Sequence, residues 1–431
     1  MRYFAELAQL PSGIARDVAF EIADGRFTGI EVGAEAGAAS RLPGLVLPGF
    51  ANCHSHAFHR GLRGQTHADG GTFWTWRERM YELAARLDPD SYLELARAVY
   101  AEMALAGITS VGEFHYLHHA RHGVPYDDPN EMAEALRQAA ADAGVRLTLL
   151  DACYLHGGLD VTGHLPVAGV QERFSDKTVE AWAMRVESLR ESPGMRVGKA
   201  IHSVRAVPSS AFRAIDEARG DRLVHFHLSE QPAENEACEE FYGCSPTQLL
   251  DEHGLIDARG RTAVHATHLS TTDRSLLSAG VTVCMCPTTE RDLADGIGPA
   301  RAVSAAGAGL SLGTDQNAII DMFSEARALE MDERLASLQR GQFSPDELLA
   351  AMTAHDTIGW PDAGRLEVGA RADLVAVRLD TVRTAGCDAS QVIMAATSAD
   401  IDTVVVNGMT TVSEGHHRLG DVGGLLLRSI R

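Results

Sequence analysis

His54 and His56 follow an apolar run, Leu45–Leu47, and a break at Pro48-Gly49. In extended chain, residues two apart point to one face, so two imidazoles at a strand end can share one cation. Groups of the same chemical kind recur downstream: His225-Phe-His227-Leu-Ser-Glu230, His265-Ala-Thr-His268 and Gly313-Thr-Asp315. Zinc takes histidine nitrogen and carboxylate oxygen, and a catalytic site keeps one position for water. His54, His56, one of His225 and His227, and Asp315 make such a set. Glu230, His265 and His268 are further titratable groups at the same strand ends. Singly, each fits as well as a core histidine or a helix-capping aspartate. Together, at the ends of successive strands, they predict a metal centre that activates water.

Strands and helices alternate from Leu45 to Gln339, and this pattern has to bring those groups together. The spacing predicts strands at Leu45–Leu47, Ile108–Phe114, Val145–Leu150, Met195–Ile201, Arg222–Leu228, Arg261–Ala266, Gly280–Pro287 and Gly309–Asp315. Helical patterns lie between them, with start and stop signals such as Asp88-Pro89 and Gly107. This predicts an α/β fold: a (β/α)8 TIM barrel over residues 47–363, with extra helices at its end. An open doubly wound sheet would scatter the polar strand ends, whereas a closed barrel gathers them at one mouth. Short β-like pieces occur before residue 46 and after residue 364, among them the hairpin turn Asn407-Gly408. They predict a small β-sandwich domain formed from both chain ends, residues 1–46 with 364–431.

Composition narrows the partners. At 45% hydrophobic and 23% charged residues the chain has a globular composition. A net charge of −21 argues against nucleic acid and anionic membrane as partners. Seven scattered cysteines, Cys284 and Cys286 among them, form no disulfide framework and read as buried thiols. No apolar run is long enough for a transmembrane helix, and Met1-Arg-Tyr-Phe-Ala-Glu lacks the apolar stretch of a signal peptide. The expectation is a cytoplasmic protein, assembled as a homodimer, the commonest closed assembly.

Four motifs carry a resemblance to a known family. The stretch from Pro48 through Cys53-His-Ser-His56 to Arg60, His227-Leu-Ser-Glu230, His265-Ala-Thr-His-Leu269 and Leu312-Gly-Thr-Asp315 resemble the amidohydrolase superfamily, in its deaminase branch. The resemblance spans the whole chain. It implies metal ligands at His54, His56, His227 and Asp315, and catalytic groups at Glu230, His265 and Asp315. Dinuclear members carry a carboxylated lysine at the end of strand four, so Lys199 has to be considered. Lys199 is followed by Ala-Ile-His and stops short of the strand end, and Glu230 marks the mononuclear deaminases. The expectation is therefore one Zn2+ per chain, with Lys199 structural. The implied reaction attacks a C=N carbon bearing an amino group and yields a carbonyl and ammonia.

Other residues address the substrate. Thr72–Tyr81, His115–His119 and His202-Ser-Val-Arg205 bring Arg77, Tyr116, His202 and Arg205 near the mouth. Several cationic donors suit carboxylates and suit a flat neutral purine poorly. The Phe73-Trp-Thr-Trp-Arg-Glu stretch and the His202-x-x-Arg205 pair are similar to the formimidoylglutamate deiminases of histidine degradation. That resemblance implies a small dicarboxylate amidine, N-formimidoyl-L-glutamate, as substrate and N-formyl-L-glutamate as product. It implies that Tyr116, His202 and Arg205 grip the glutamate part, with Arg77 assisting. His59 stands where that family often has glutamine and can donate one hydrogen bond there. Two rival readings remain. One is an aminohydrolase of the same branch acting on guanine, an adenosine derivative or a triazine. The other is a non-catalytic scaffold, against which every ligand and both proton-transfer groups are still present.

Overall fold

The structure is a computed structural model that describes residues 1–67, 71–218, 220, 222–256 and 260–430. The chain opens with an antiparallel meander, β1 (Arg2–Leu10), β2 (Gly13–Ala23) and β3 (Arg26–Val32). It returns as β4 (Ser40–Pro48), parallel to β1. Eight strands then form one parallel sheet: β5 (Phe50–Ser55), β6 (Ile108–His115), β7 (Arg146–Cys153), β10 (Met195–Ile201), β11 (Val224–Leu228), β12 (Arg261–His265), β13 (Thr282–Met285) and β14 (Gly309–Leu312). A small antiparallel hairpin, β8 (Gly158–Asp160) and β9 (Gly163–Leu165), follows β7 outside this sheet. Every residue of β6 and β7 is buried, as parallel strands covered on both faces require.

The seam between β14 and β5 closes this sheet into a barrel. Ser55 and Asp315 form a parallel bridge. The Asp315 N–H donates to His54 O at 3.0 Å, and the His56 N–H donates to Asp315 O at 3.0 Å. Gly313 permits the approach, since a Cβ there would stand 2.7 Å from His54 O. The barrel is thus closed by the backbone of three residues that also carry the candidate metal ligands.

One sequence expectation is corrected here. Leu45–Leu47 is not the first barrel strand: it lies in β4 and pairs with β15 (Leu374–Val377) of the other sheet. The barrel begins at Phe50, after the Pro48-Gly49 break. That break marks a change of sheet. A Cβ at Gly49 would lie 2.5 Å from Thr109 Cγ2, so the chain crosses against the barrel wall.

The remaining strands are β16 (Ile401–Val406), β17 (Met409–Ser413) and β18 (His416–His417), which extend β15 away from β4. Asn407 (φ 49°) and Gly408 (φ 75°) make the tight turn between β16 and β17. The edge strand β3 curls back onto the segment before β15: Phe27 N–H donates to Ala370 O, and Arg26 bridges Arg371. The sheet so encloses its own core of Tyr3, Val18, Phe20, Phe27, Leu42 and Leu374 as a small β-sandwich from both chain ends. Arg146 at the start of β7 ties barrel to sandwich through Asp373 and Asn407.

The helix Pro89–Leu105 starts as its sequence predicts, with Asp88 accepting from the Ser91 N–H. A C-terminal helix, Val422–Ile430, packs on it. The bottom of the barrel is filled by Cys53, Val264 and Cys284, sealed by Ile358 and Trp360. The cysteines are free. Among the described residues no helix is long and apolar enough to cross a membrane.

Candidate active site

Four imidazoles and a carboxylate meet where the barrel closes. His54 Nε2 and His56 Nε2 lie 3.2 and 3.3 Å from Asp315 Oδ1. His227 Nε2 lies 3.1 Å from His54 Nε2. The other ring nitrogens decide what these atoms are. His56 Nδ1 donates to Phe114 O and His227 Nδ1 to His202 O, each at 2.8 Å. Each ring therefore carries a bare Nε2 lone pair, in the manner of a histidine oriented for a metal by its second nitrogen; the ligand atoms of His54, His227, His265 and Asp315 form one compact group, and His56 meets it through Asp315. Lone pairs facing one another and a carboxylate call for a cation. Ligands about 2.0–2.1 Å from a tetrahedral zinc stand about 3.3 Å apart, which the observed spacings match. The donor set fits the metal.

The electrostatics agree. Burial pushes His54 down to about 3 and His227 well below the ordinary histidine range, keeping both neutral and able to ligate. Burial opposes the charge on Asp315, but hydrogen bonding and attraction to His54, with His265 and His56, hold its pKa far below the usual carboxylate range. His265 behaves oppositely. Burial works against its charge, yet Glu230, Glu290 and Asp315 outweigh burial and raise it well above the ordinary value.

His265 Nε2 is 3.7 Å from Glu230 Oε1 and 4.0 Å from Asp315 Oδ2, which makes it the link between the carboxylate of the metal set and Glu230. Its Nδ1 is 3.5 Å from Glu290 Oε1. Glu290 lies in the first turn of the helix Pro287–Leu293 after β13, so the seventh strand also supplies the site. Glu230 itself is raised by burial, with His265 and Arg205 opposing.

The strand-five alternative resolves by depth. His225 and His227 share a face of β11, but His225 lies one layer lower, and its Nε2 bonds Thr357 O at 3.0 Å. Lys199 lies on the outer face of β10, where its Nζ donates to Asp216 O and Gly220 O of the helix Ser209–Glu217 and the turn after it. A second cluster, His115, His118 and Asp151, is already neutralised: the Asp151 oxygens accept from Arg185 and Trp182.

The five residues expected to contact substrate all line one cavity together with His56, His227, His265 and Asp315. His59 Nε2 is 2.7 Å from Tyr116 Oη, and its ring lies 4.6 Å from that of His56. Arg77 stacks on Trp74 at 4.5 Å. The His202 ring packs against Tyr154 (4.7 Å) and Tyr116 (5.4 Å). Arg205 is more constrained than its sequence suggests. Its Nε donates to Glu234 Oε2 at 3.1 Å, and its Nη2 lies 3.5 Å from Glu230 Oε2. Glu234 also accepts from the Ser229 N–H at 3.3 Å. Ser229 has φ 50°, so this bond steadies the strained turn that aims Glu230 into the cavity. Glu234, four residues after Glu230, escapes sequence reasoning because it reads as an ordinary first-turn helix acid.

The family model for the amidohydrolase family matches residues 45–411. The chain belongs to the amidohydrolase family. Members of this family are metal-dependent, and the chain is a hydrolase acting on C–N bonds. A second model, described as the formimidoylglutamate deiminase HutF N-terminal domain, matches residues 3–44. Over 96% of its length and 95% of the relative's, the chain is 37% identical to the formimidoylglutamate deiminase of Pseudomonas aeruginosa. It is 30% identical to the 8-oxoguanine deaminase of the same organism, over 89% of this chain and 86% of that one. Among solved structures, an amidohydrolase from Brucella melitensis superposes with a TM-score of 0.90 at 33% identity, covering 100% of this chain and 98% of that one. An adenosine deaminase from Xanthomonas campestris with bound zinc shares the fold at a TM-score of 0.83 and 24% identity, covering 99% and 96%.

Proposed function

We propose that the chain hydrolyses N-formimidoyl-L-glutamate to N-formyl-L-glutamate and ammonia, a step of histidine degradation. The observation that carries this reading is the pair of guanidiniums, Arg77 and Arg205, lining the same cavity as the His/Asp cluster in a chain of net charge −21. An acidic protein that gathers arginines at its site is fitted to an anionic ligand. The P. aeruginosa relative, similar along nearly its whole length, supports the choice of a glutamate-derived amidine.

In this reading His54, His56, His227 and Asp315 hold one zinc ion. When bound, zinc supplies a water whose pKa falls toward about 7. Asp315 Oδ2 accepts a proton from water in the site, and His265, held cationic by Glu230, Glu290 and Asp315, orients that water. Glu230 begins ionised, takes one proton of that water and delivers it to the amidine nitrogen; the water's second proton, passed on through Asp315, lets that nitrogen leave as ammonia while the water's oxygen becomes the carbonyl. Glu290 orients His265 through Nδ1. His202, Tyr116 and Arg205 bind the glutamate part, with Arg77 and His59 completing the wall. The cation on Arg205 also counters the burial of Glu230 and keeps the carrier ionisable.

The working form in this proposal is a cytoplasmic homodimer, which light scattering of the purified chain tests. The decisive assay is ammonia release from N-formimidoyl-L-glutamate, run beside 8-oxoguanine, guanine and adenosine on metal-loaded protein. Turnover of a purine in preference to the amidine would refute the proposal.

A further inference from the structure

Gln231 follows Glu230 directly and stands at the N-cap of the helix Pro232–Tyr242, yet its side chain does not cap that helix. N-caps favour short side chains that bond back to the first turn. The Gln231 amide reaches instead to the segment after the helix Pro287–Leu293, where its Nε2 donates to Asp295 Oδ1.

Asp295 is a junction. Its N–H donates to Glu290 O at 2.9 Å, and its carbonyl accepts from His268 Nε2 at 2.7 Å. The His268 N–H in turn donates to Ser229 O at 3.0 Å. One residue outside the cavity lining thus ties together the segments that carry Glu230, His265 and Glu290. Those segments need ties. Ser229 (φ 50°), His265 (φ 68°), Ala266 (φ 51°) and Ala294 (φ 59°) all hold left-handed backbone, which persists only where the surroundings impose it. Glu230 is flanked by two such ties: the Ser229 N–H donates to Glu234 before it, and Gln231 Nε2 donates to Asp295 after it.

The second tie calls for a neutral acid. Asp295 is buried, and among the described residues its Oδ2 has no hydrogen-bond partner. An ionised carboxylate so placed would leave a charged oxygen unpaired in the interior. Burial, then Glu230, Glu290 and Asp315, push its carboxyl up to about 9, with His265 opposing. A neutral Asp295 also spares Glu230 a further negative neighbour.

We infer that the Asp295 side chain is the positioning residue of Glu230: through Gln231 it fixes the turn that aims Glu230 into the cavity. This rests on the reading of Glu230 as the proton carrier of amidine hydrolysis. The backbone ties of Asp295 to His268 and Glu290 do not involve its side chain, so substitution at 295 addresses the Glu230 arm.

The test is steady-state kinetics of metal-loaded protein on N-formimidoyl-L-glutamate, with metal content and melting recorded for each variant. A catalytic group displaced by about 1 Å can lose about a hundredfold in rate. Asp295→Ala should lower kcat by about 10- to 100-fold, with KM and metal content little changed. Asp295→Asn keeps an acceptor for Gln231 Nε2 and should recover most of that loss. Gln231→Leu cuts the same tie from its other end and should also lower kcat; adding Asp295→Ala to it should bring no further loss. The deciding arm is the Glu230→Gln background, in which Asp295→Ala should again bring no further loss, because no carrier is left to aim. A merely structural role would multiply the two losses. If Asp295→Ala does not fold, Gln231→Leu carries the same comparison in that background. Multiplying losses, or an Asp295→Asn protein as slow as Asp295→Ala, would overturn the proposal. Wild type inert toward the amidine would remove the functional reading and this proposal with it, whereas active wild type with multiplying losses refutes the positioning role alone.

Discussion

Replacing Arg205 should do three separable things, because its guanidinium faces two buried carboxylates and the substrate at once. Arg205→Met removes a charge-assisted donor to the substrate, about 1.5–3 kcal/mol, or about 10- to 150-fold in kcat/KM on N-formimidoyl-L-glutamate. On an amidine without carboxylates the loss should be much smaller. The same change leaves Glu234, whose side chain is fully buried, with only the Ser229 N–H. Breaking a buried pair on one side costs about 3–5 kcal/mol, which for 431 residues lowers the thermal midpoint by about 3–6 °C. Thirdly, Glu230 is raised by burial and held back by His265 and Arg205. Without Arg205 its pKa rises further, so less of it is ionised at a given pH, and the acid limb of the kcat/KM profile moves to higher pH. Glu234→Gln should move that limb the other way, since Arg205 then pairs with Glu230 alone and stabilises its ionised form. The double variant, with no buried unpaired charge, should be more stable than Arg205→Met. The assays are pH profiles on both substrates and thermal melts of all three variants. Acid limbs that shift in the same direction in the two single variants, or equal losses on charged and uncharged substrates, would refute this account of Arg205.

Glu230→Gln should retain its metal by elemental analysis and lose at least about a hundredfold in kcat, because Glu230 is a proton carrier outside the ligand set. His265→Gln should behave alike, whereas His268→Gln should be mild, since His268 Nε2 bonds Asp295 O away from the cluster. Chelation should abolish turnover and lower the thermal midpoint, because it strips the buried cluster of His54, His56, His227 and Asp315 of the cation that binds only the folded chain; zinc should restore both, as read by activity and by melting. Lys199→Met should keep full metal content and turnover while losing stability, since the Lys199 ammonium serves carbonyls outside the barrel; loss of a second metal equivalent in this variant would contradict the mononuclear reading.

What could be read from the sequence follows from which features are local. Strand-end pairs two residues apart, such as His54 and His56, announce a shared face through the period of the strand alone. The same period cannot choose between His225 and His227, which share a face and differ only in depth; Thr357, more than a hundred residues away, is what occupies the deeper one. The direction of Lys199 was set by what lies behind its strand: its Nζ donates to Asp216 O and Gly220 O outside β10. The first barrel strand was hidden for a different reason. Residues 45–55 are buried almost throughout, and hydrophobicity cannot show that β4 pairs with β1 and β15 while β5 pairs with β6. Glu234 and Glu290 look like ordinary acids in a first helical turn, a favourable position for any carboxylate. Their roles arise because barrel closure sets one beside Arg205 and the other beside His265. The ligands were legible because each advertises its chemistry by type, while the groups that tune them are common residues given meaning only by the partner that the fold brings to them.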